Sequence, residues 1–120
     1  MPIYRHGDVY LIPIKTKIDG TPEKRAVLAY GEVTGHAHVI DHPRAKLTRD
    51  PKAVDLAKAE LVRLGIIDKD AIVTGALTVE GDEAVPLTHE EHDTHHIRAD
   101  SYAVVIQREY SPAKIRRVVD

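Results

Sequence analysis

The chain has 120 residues, a formal net charge of −2, and eight histidines, with no Cys, Phe or Trp. That length suits one domain, and the charge balance excludes a broadly basic nucleic-acid coat and an acidic disordered tail. Without Cys there is no disulfide framework or thiol nucleophile, and five Tyr as the only aromatics are too few for a base-stacking platform.

Taken in chain order, Asp8 to Ile14 is dense in Val, Tyr, Leu and Ile and reads as a strand after a Gly-Asp turn, with Pro13 near its end. Asp19-Gly20-Thr21-Pro22 is a loop signal. A second strand is expected over Arg25 to Thr34, with Gly31 as a bulge, and a third over His36 to Asp41, stopped by Pro43. Asp50-Pro51 opens a helix, with Asp50 as a side-chain N-cap and Pro at the first helical position. Val54, Ala57, Leu61 and Leu64 recur at helical spacing, and Gly65 stands at the C-terminal cap, so one inserted helix spans about 51–65. Ala71 to Glu80 and Ala84 to Thr88 read as strands, followed by the His-rich segment His89 to His96. Ser101 to Tyr110 is the clearest strand, and Ile115 to Val119 adds a last one. The expected fold is mainly β (α+β): a single domain over 1–120, a small barrel or sandwich of six to eight short strands with one inserted helix.

No apolar run approaches the ~20 residues of a membrane-spanning helix. The opening Met1-Pro2-Ile3-Tyr4-Arg5-His6 lacks the apolar core of a signal peptide, so the expected compartment is the cytoplasm.

Histidine is used about three times as often as in average proteins. Two clusters hold most of it. His36 and His38 form a His-x-His on an expected strand, where residues two apart face one way. His89 and His92 lie in His89-Glu90-Glu91-His92-Asp93-Thr94-His95-His96, ahead of a strand. Pairing of the flanking strands brings the two clusters to one site. His6 beside Arg5 reads as a surface or turn residue, His42 as a strand end, and His95 and His96 as partly exposed filler.

Two chemistries suit such a site. Two imidazoles facing a substrate act as general base and general acid near neutral pH, which is sufficient for an RNA-type phosphodiester because the 2′-hydroxyl supplies the nucleophile. Neutral imidazoles are also ligands for zinc, nickel, iron or manganese, and His36, His38, His89 and His92 would hold one divalent transition metal. There is no Gly-rich phosphate loop, no nucleophile elbow, and His89-Glu90-Glu91-His92 is one residue short of the zinc-protease motif.

Gly31 to His42 resembles in part the Gly…His-x-His metal motif of cupins, with a shorter spacing and His42 where the motif has Glu. A wider set of motifs resembles a group of small His-rich bacterial and phage proteins, including ring nucleases of CRISPR defence that linearise cyclic oligoadenylates. These motifs are Tyr4-Arg5-x-Gly7-Asp8-Val9, Gly31-Glu32-Val33-Thr34-Gly35-His36-Ala37-His38, Leu87-Thr88-His89-Glu90-Glu91-His92 and Gln107-Arg108-Glu109-Tyr110. This resemblance implies a metal-independent phosphodiesterase without cofactor, acting as a homodimer on a short or cyclic oligonucleotide. His36, His38, His89 and His92 are the catalytic candidates, and Arg108, Thr34 and Glu90 the substrate-binding ones. The alternatives are a cupin-like metal protein and a non-catalytic nucleotide sensor.

Overall fold

The structure, a computed structural model, describes residues 3–30, 37–89 and 92–107, with the backbone alone at Tyr30, His89, His92 and Asp93. Nine strands and one helix are present among them: β1 (Tyr4–His6), β2 (Val9–Pro13), β3 (Ala26–Tyr30), β4 (Ala37–Ile40), β5 (Ala45–Thr48), α1 (Pro51–Arg63), β6 (Ile72–Val79), β7 (Val85–His89), β8 (His92–Ile97) and β9 (Asp100–Ile106). They form a five-stranded sheet in the order β1-β2-β9-β6-β5 and a four-stranded sheet in the order β3-β4-β7-β8, with antiparallel pairing throughout. The fold is therefore a mainly β sandwich carrying one helix, and not a closed barrel.

The order of layers follows from which positions along each strand are apolar. In β2, Val9 and Leu11 point between the sheets, while Tyr10 and Ile12 point to the outer face. β9 does the same, with Tyr102, Val104 and Ile106 on one side and Ala103 and Val105 on the other. Strands buried on both faces read as continuous apolar runs, which is why β9 stands out in the sequence. The outer face of the five-stranded sheet is covered by α1 through Ala57 and Leu61. The chain thus stacks a four-stranded sheet, a five-stranded sheet and a helix, with two cores that share β2 and β9.

The helix is the expected one, with two differences. Its buried residues are Ala53, Ala57, Glu60 and Leu61, so the buried stripe is turned away from Leu64, which is 49% exposed. Asp50 is the N-cap residue without a side-chain cap bond, because its Oδ2 accepts from the backbone N–H of Thr21 at 2.7 Å. Gly65 adopts φ 72° just past the end, as its sequence position suggests.

β1 and β5 are short elements that the apolar pattern did not reveal, since β1 has three residues and β5 four. Within its described residues β3 shifts register against β4 between Val27 and Ala29. Gly31 itself, the end of the strand expected to reach Tyr110, and the last strand expected at Ile115–Val119 lie outside the described residues. The described helix is too short and polar to cross a membrane.

Candidate functional site

The site begins with a turn. β1 and β2 are joined by Gly7-Asp8, with His6 opposite Val9 and Tyr4 opposite Leu11. Gly7 has φ 67° and Asp8 does not share its positive φ, the pattern of a type II′ hairpin turn with Gly in its first central position. Arg5 Nε donates to Gly7 O at 3.2 Å, and Gln107 N donates to Asp8 O at 2.9 Å, which pins the turn to the end of β9. Because cross-strand partners share a face and Val9 and Leu11 point inward, His6 and Tyr4 point inward too.

β1 is one edge of the larger sheet and β8 is one edge of the smaller, and the two lie against each other. His6 stands in this seam. Its Nδ1 is 2.7 Å from Nδ1 of His38 on β4, and the ring centroids are 4.9 Å apart at 82°. His95 on β8 meets the His6 ring from another side, with centroids 4.9 Å apart at 69°. Asp8 Oδ1 lies 3.9 Å from His38 Nε2. His6 and His38 are each 2% exposed, so this is a buried imidazole pair with a carboxylate at one end and a third, half-buried imidazole alongside.

A hydrogen bond between two Nδ1 atoms requires one ring to carry the hydrogen and the other the lone pair. A pair of this kind holds and passes a single proton, and a second proton would place two like charges 2.7 Å apart.

The strands carrying the two sequence clusters do pair. Val39 on β4 is opposite Thr88 on β7, so His38 and His89 occupy the next positions on adjacent strands, and His89 is opposite His92 at the start of β8. Among the predicted residues, His38 is in the seam, and His89 and His92 are placed by their backbones. His36, Thr34, Glu90 and Arg108 lie outside the described residues.

Three participants escaped the sequence reading. His6 is buried and not a surface residue, because the Gly-Asp turn folds β1 back in register with the inward face of β2. Its signal was the two-residue turn itself, which puts His6 in phase with Val9. His95 is half-buried against His6 because it is opposite the fully buried Leu87, whereas His96, one residue on, is exposed. Asp8 was read only as a turn residue.

The seam is closed at its floor by an aromatic pair. Tyr4 meets Tyr102 edge-on with centroids 5.9 Å apart, Tyr102 Oη donates to Arg98 O at 2.7 Å, and Arg98 N donates to Tyr4 Oη at 3.1 Å. Burial pushes the Tyr102 hydroxyl well above its ordinary pKa, so it is a structural donor and not an acid of the site.

The profile of the family described as a domain of unknown function, DUF8820, matches residues 5–107. The chain belongs to that family. The DUF8820 span takes in His6, Asp8, His38 and His95 together with both predicted histidine clusters, and ends one residue before Arg108. No curated protein and no solved structure matches the chain.

Proposed function

We propose that this DUF8820 protein is a phosphodiesterase that cleaves ribonucleotide linkages in a short or cyclic oligonucleotide, cyclic oligoadenylate in particular, by histidine acid–base chemistry. The observation that supports it is the Nδ1-to-Nδ1 contact of His6 and His38, which provides a proton-sharing base in a seam beside the second histidine cluster. In the reaction, an imidazole of the first group removes the proton of a 2′-hydroxyl. The 2′-oxygen attacks phosphorus, the P–O5′ bond breaks, and a second imidazole protonates the leaving 5′-oxygen. The products are a 2′,3′-cyclic phosphate and a 5′-hydroxyl, and no outside nucleophile or oxidant enters. His36 and His38 belong to the base side and His89 and His92 to the acid side, with Arg108 stabilising the phosphorane and Thr34 and Glu90 contacting the substrate. A net charge of −2 suits a local pocket for a small ligand better than a long nucleic-acid groove. A cyclic ligand with rotational symmetry fits a two-fold site, so the working unit is proposed to be a homodimer in the cytoplasm.

The test is incubation of the purified chain with cyclic tetraadenylate, cyclic hexaadenylate and plain RNA, with and without EDTA, and product masses. Cleavage that survives EDTA and leaves cyclic phosphate ends is the expected result. Activity lost in EDTA and restored by one divalent metal would overturn the mechanism in favour of the cupin-like alternative. Tight binding without turnover would replace the enzyme with a sensor.

A further inference from the structure

We propose that the outer face of the five-stranded sheet holds a second ligand site, beside the C-terminal turn of α1, for a small organic anion with an apolar chain, a medium-chain carboxylate. The inference is independent of the acid–base reading above, since no histidine lines this cleft.

The cleft has a volume of about 460 Å³ and runs between the end of β2 and the last turn of α1. That size lies within the roughly 300–1,000 Å³ of small-molecule sites, which are mostly apolar with a few placed polar groups. Its floor is formed by Ile12 and Ile14, both buried, and its walls by Ile3 and Ile66, which are half-buried and pack on the same core. Lys15, Arg63 and Leu64 line it too and are exposed, so the cleft opens to solvent beside them. Two features of the sequence leave the space unfilled. Leu64 continues the helical spacing of Ala57 and Leu61, yet it is 49% exposed and the buried stripe of α1 ends at Leu61. The chain also has no Phe or Trp to reach across from the sheet. An alkyl chain lying on Ile12, Ile14 and Ile66 removes from water the apolar surface left open there, which drives its entry.

Charge selects the head group. Three charged side chains line the cleft: Lys15, Arg63 and Glu60. The Glu60 carboxylate already accepts from Lys15 N and Thr16 N, each at 2.7 Å, and from the Thr16 hydroxyl. Neither the Lys15 ammonium nor the Arg63 guanidinium is in an ion pair among the described residues. A helix C-terminus disfavours anions through its unmet carbonyls. Here the last turn closes on itself, with Gly65 N donating to Val62 O at 3.0 Å and Ile66 N to Leu61 O at 2.9 Å. Two cations at the mouth therefore outweigh one carboxylate that is already hydrogen-bonded, and the balance favours an anion with its chain turned inward. A single carboxylate matches that surplus, and it suits the fork of a guanidinium. An alkylammonium would meet two like charges in the same place.

The test is a titration of the full chain, 13C-labelled at the Ile δ1 methyls, with hexanoate, octanoate and decanoate below their micelle concentrations. Saturable shifts are expected at Ile3, Ile12, Ile14 and Ile66, with Ile40 and Ile97 of the sheet-to-sheet core unmoved. Affinity is expected to rise about threefold per added CH2. Octan-1-ol is expected to bind at least fivefold more weakly than octanoate, and octylammonium to give no saturable shift. The double variant Lys15→Gln with Arg63→Gln, both exposed positions, is expected to bring octanoate down to the affinity of octan-1-ol and leave octan-1-ol unchanged. Leu64→Glu sets a carboxylate at the mouth and is expected to abolish octanoate binding, with an unchanged urea midpoint to show an intact fold. No saturable shift with any of the three carboxylates would overturn the site, as would shifts spread equally over Ile40 and Ile97. Octan-1-ol binding as tightly as octanoate, or octanoate binding undiminished in the double variant, would overturn the choice of an anion.

Discussion

A polar side chain in a dry seam is tolerable only when its hydrogen-bonding atoms are matched, and at single residues this chain meets that demand with short bonds from unlike partners. His6 meets it with another imidazole at 2.7 Å, and Tyr102 with a backbone carbonyl at the same distance. Tyr102 is wholly buried, and its hydroxyl donates to Arg98 O. Tyr102→Phe is expected to cost about 1 kcal/mol in urea unfolding, the worth of one neutral hydrogen bond. The raised Tyr102 pKa adds a pH signature. The folded state holds the hydroxyl protonated where the unfolded chain has already ionised it, so stability falls as pH rises above the ordinary Tyr value. That alkaline slope should be shallower in Tyr102→Phe, and an unchanged slope would rule out Tyr102 as its source.

At the scale of elements, α1 is fixed to the sheet by apolar packing and by one carboxylate. Glu60 is 5% exposed and accepts from Lys15 N at 2.7 Å, from Thr16 N at 2.7 Å and from the Thr16 hydroxyl. Burial acts to raise its pKa, but the hydrogen bonds from Thr16 and Lys15, aided by Arg63, outweigh it, and the carboxyl is held below its ordinary value of 4.5. A depressed carboxylate stabilises the fold above its unfolded pKa, and the contribution is lost as pH falls from about 4.5 through the folded value. Glu60→Gln is therefore expected to lower stability at neutral pH by about 1.5–3 kcal/mol, the range for hydrogen bonds to a charged group. The same variant should flatten the acid limb of stability against pH, measured by urea unfolding between neutrality and mild acid. An acid limb that stays as steep as in the unaltered chain would remove Glu60 as the latch.

Across the whole molecule, the two cores are not independent. Val9, Leu11, Tyr102 and Val104 face the smaller sheet, while Tyr10, Ile12, Ala103 and Val105 face the helix, all on the same two strands. Neither core can be lost while β2 and β9 stay folded with both faces covered, so unfolding is expected to be a single transition. Leu87→Ala in the sheet-to-sheet core and Leu61→Ala under the helix are each expected to cost about 2–5 kcal/mol. In both variants, far-UV circular dichroism and Tyr fluorescence should report coincident midpoints. Separate midpoints in Leu61→Ala would mean that the helix layer melts alone.

The sequence by itself determined the fold class, most of the strands and the helix. These are set by local signals: the continuous apolar run of β9, the helical spacing of Ala57 and Leu61, Pro51 at the helix start and Gly65 at its end. It also marked His38 and the second cluster, since His-x-His and His-x-x-His are visible without any fold, but not that this cluster runs on as strand β8. It did not determine which histidines meet. His6 and His38 are 32 residues apart, and their contact depends on two sheets closing edge to edge so that β1 faces β8. Nor did it determine which face β1 presents, because a three-residue strand has too few positions to show an alternation. Only the register of the Gly7-Asp8 turn sends His6 inward, and only the packing of one sheet on the other gives that buried ring a partner. Local sequence fixes periodicity and turns, whereas the pairing of distant polar groups is decided by the packing that takes them out of water.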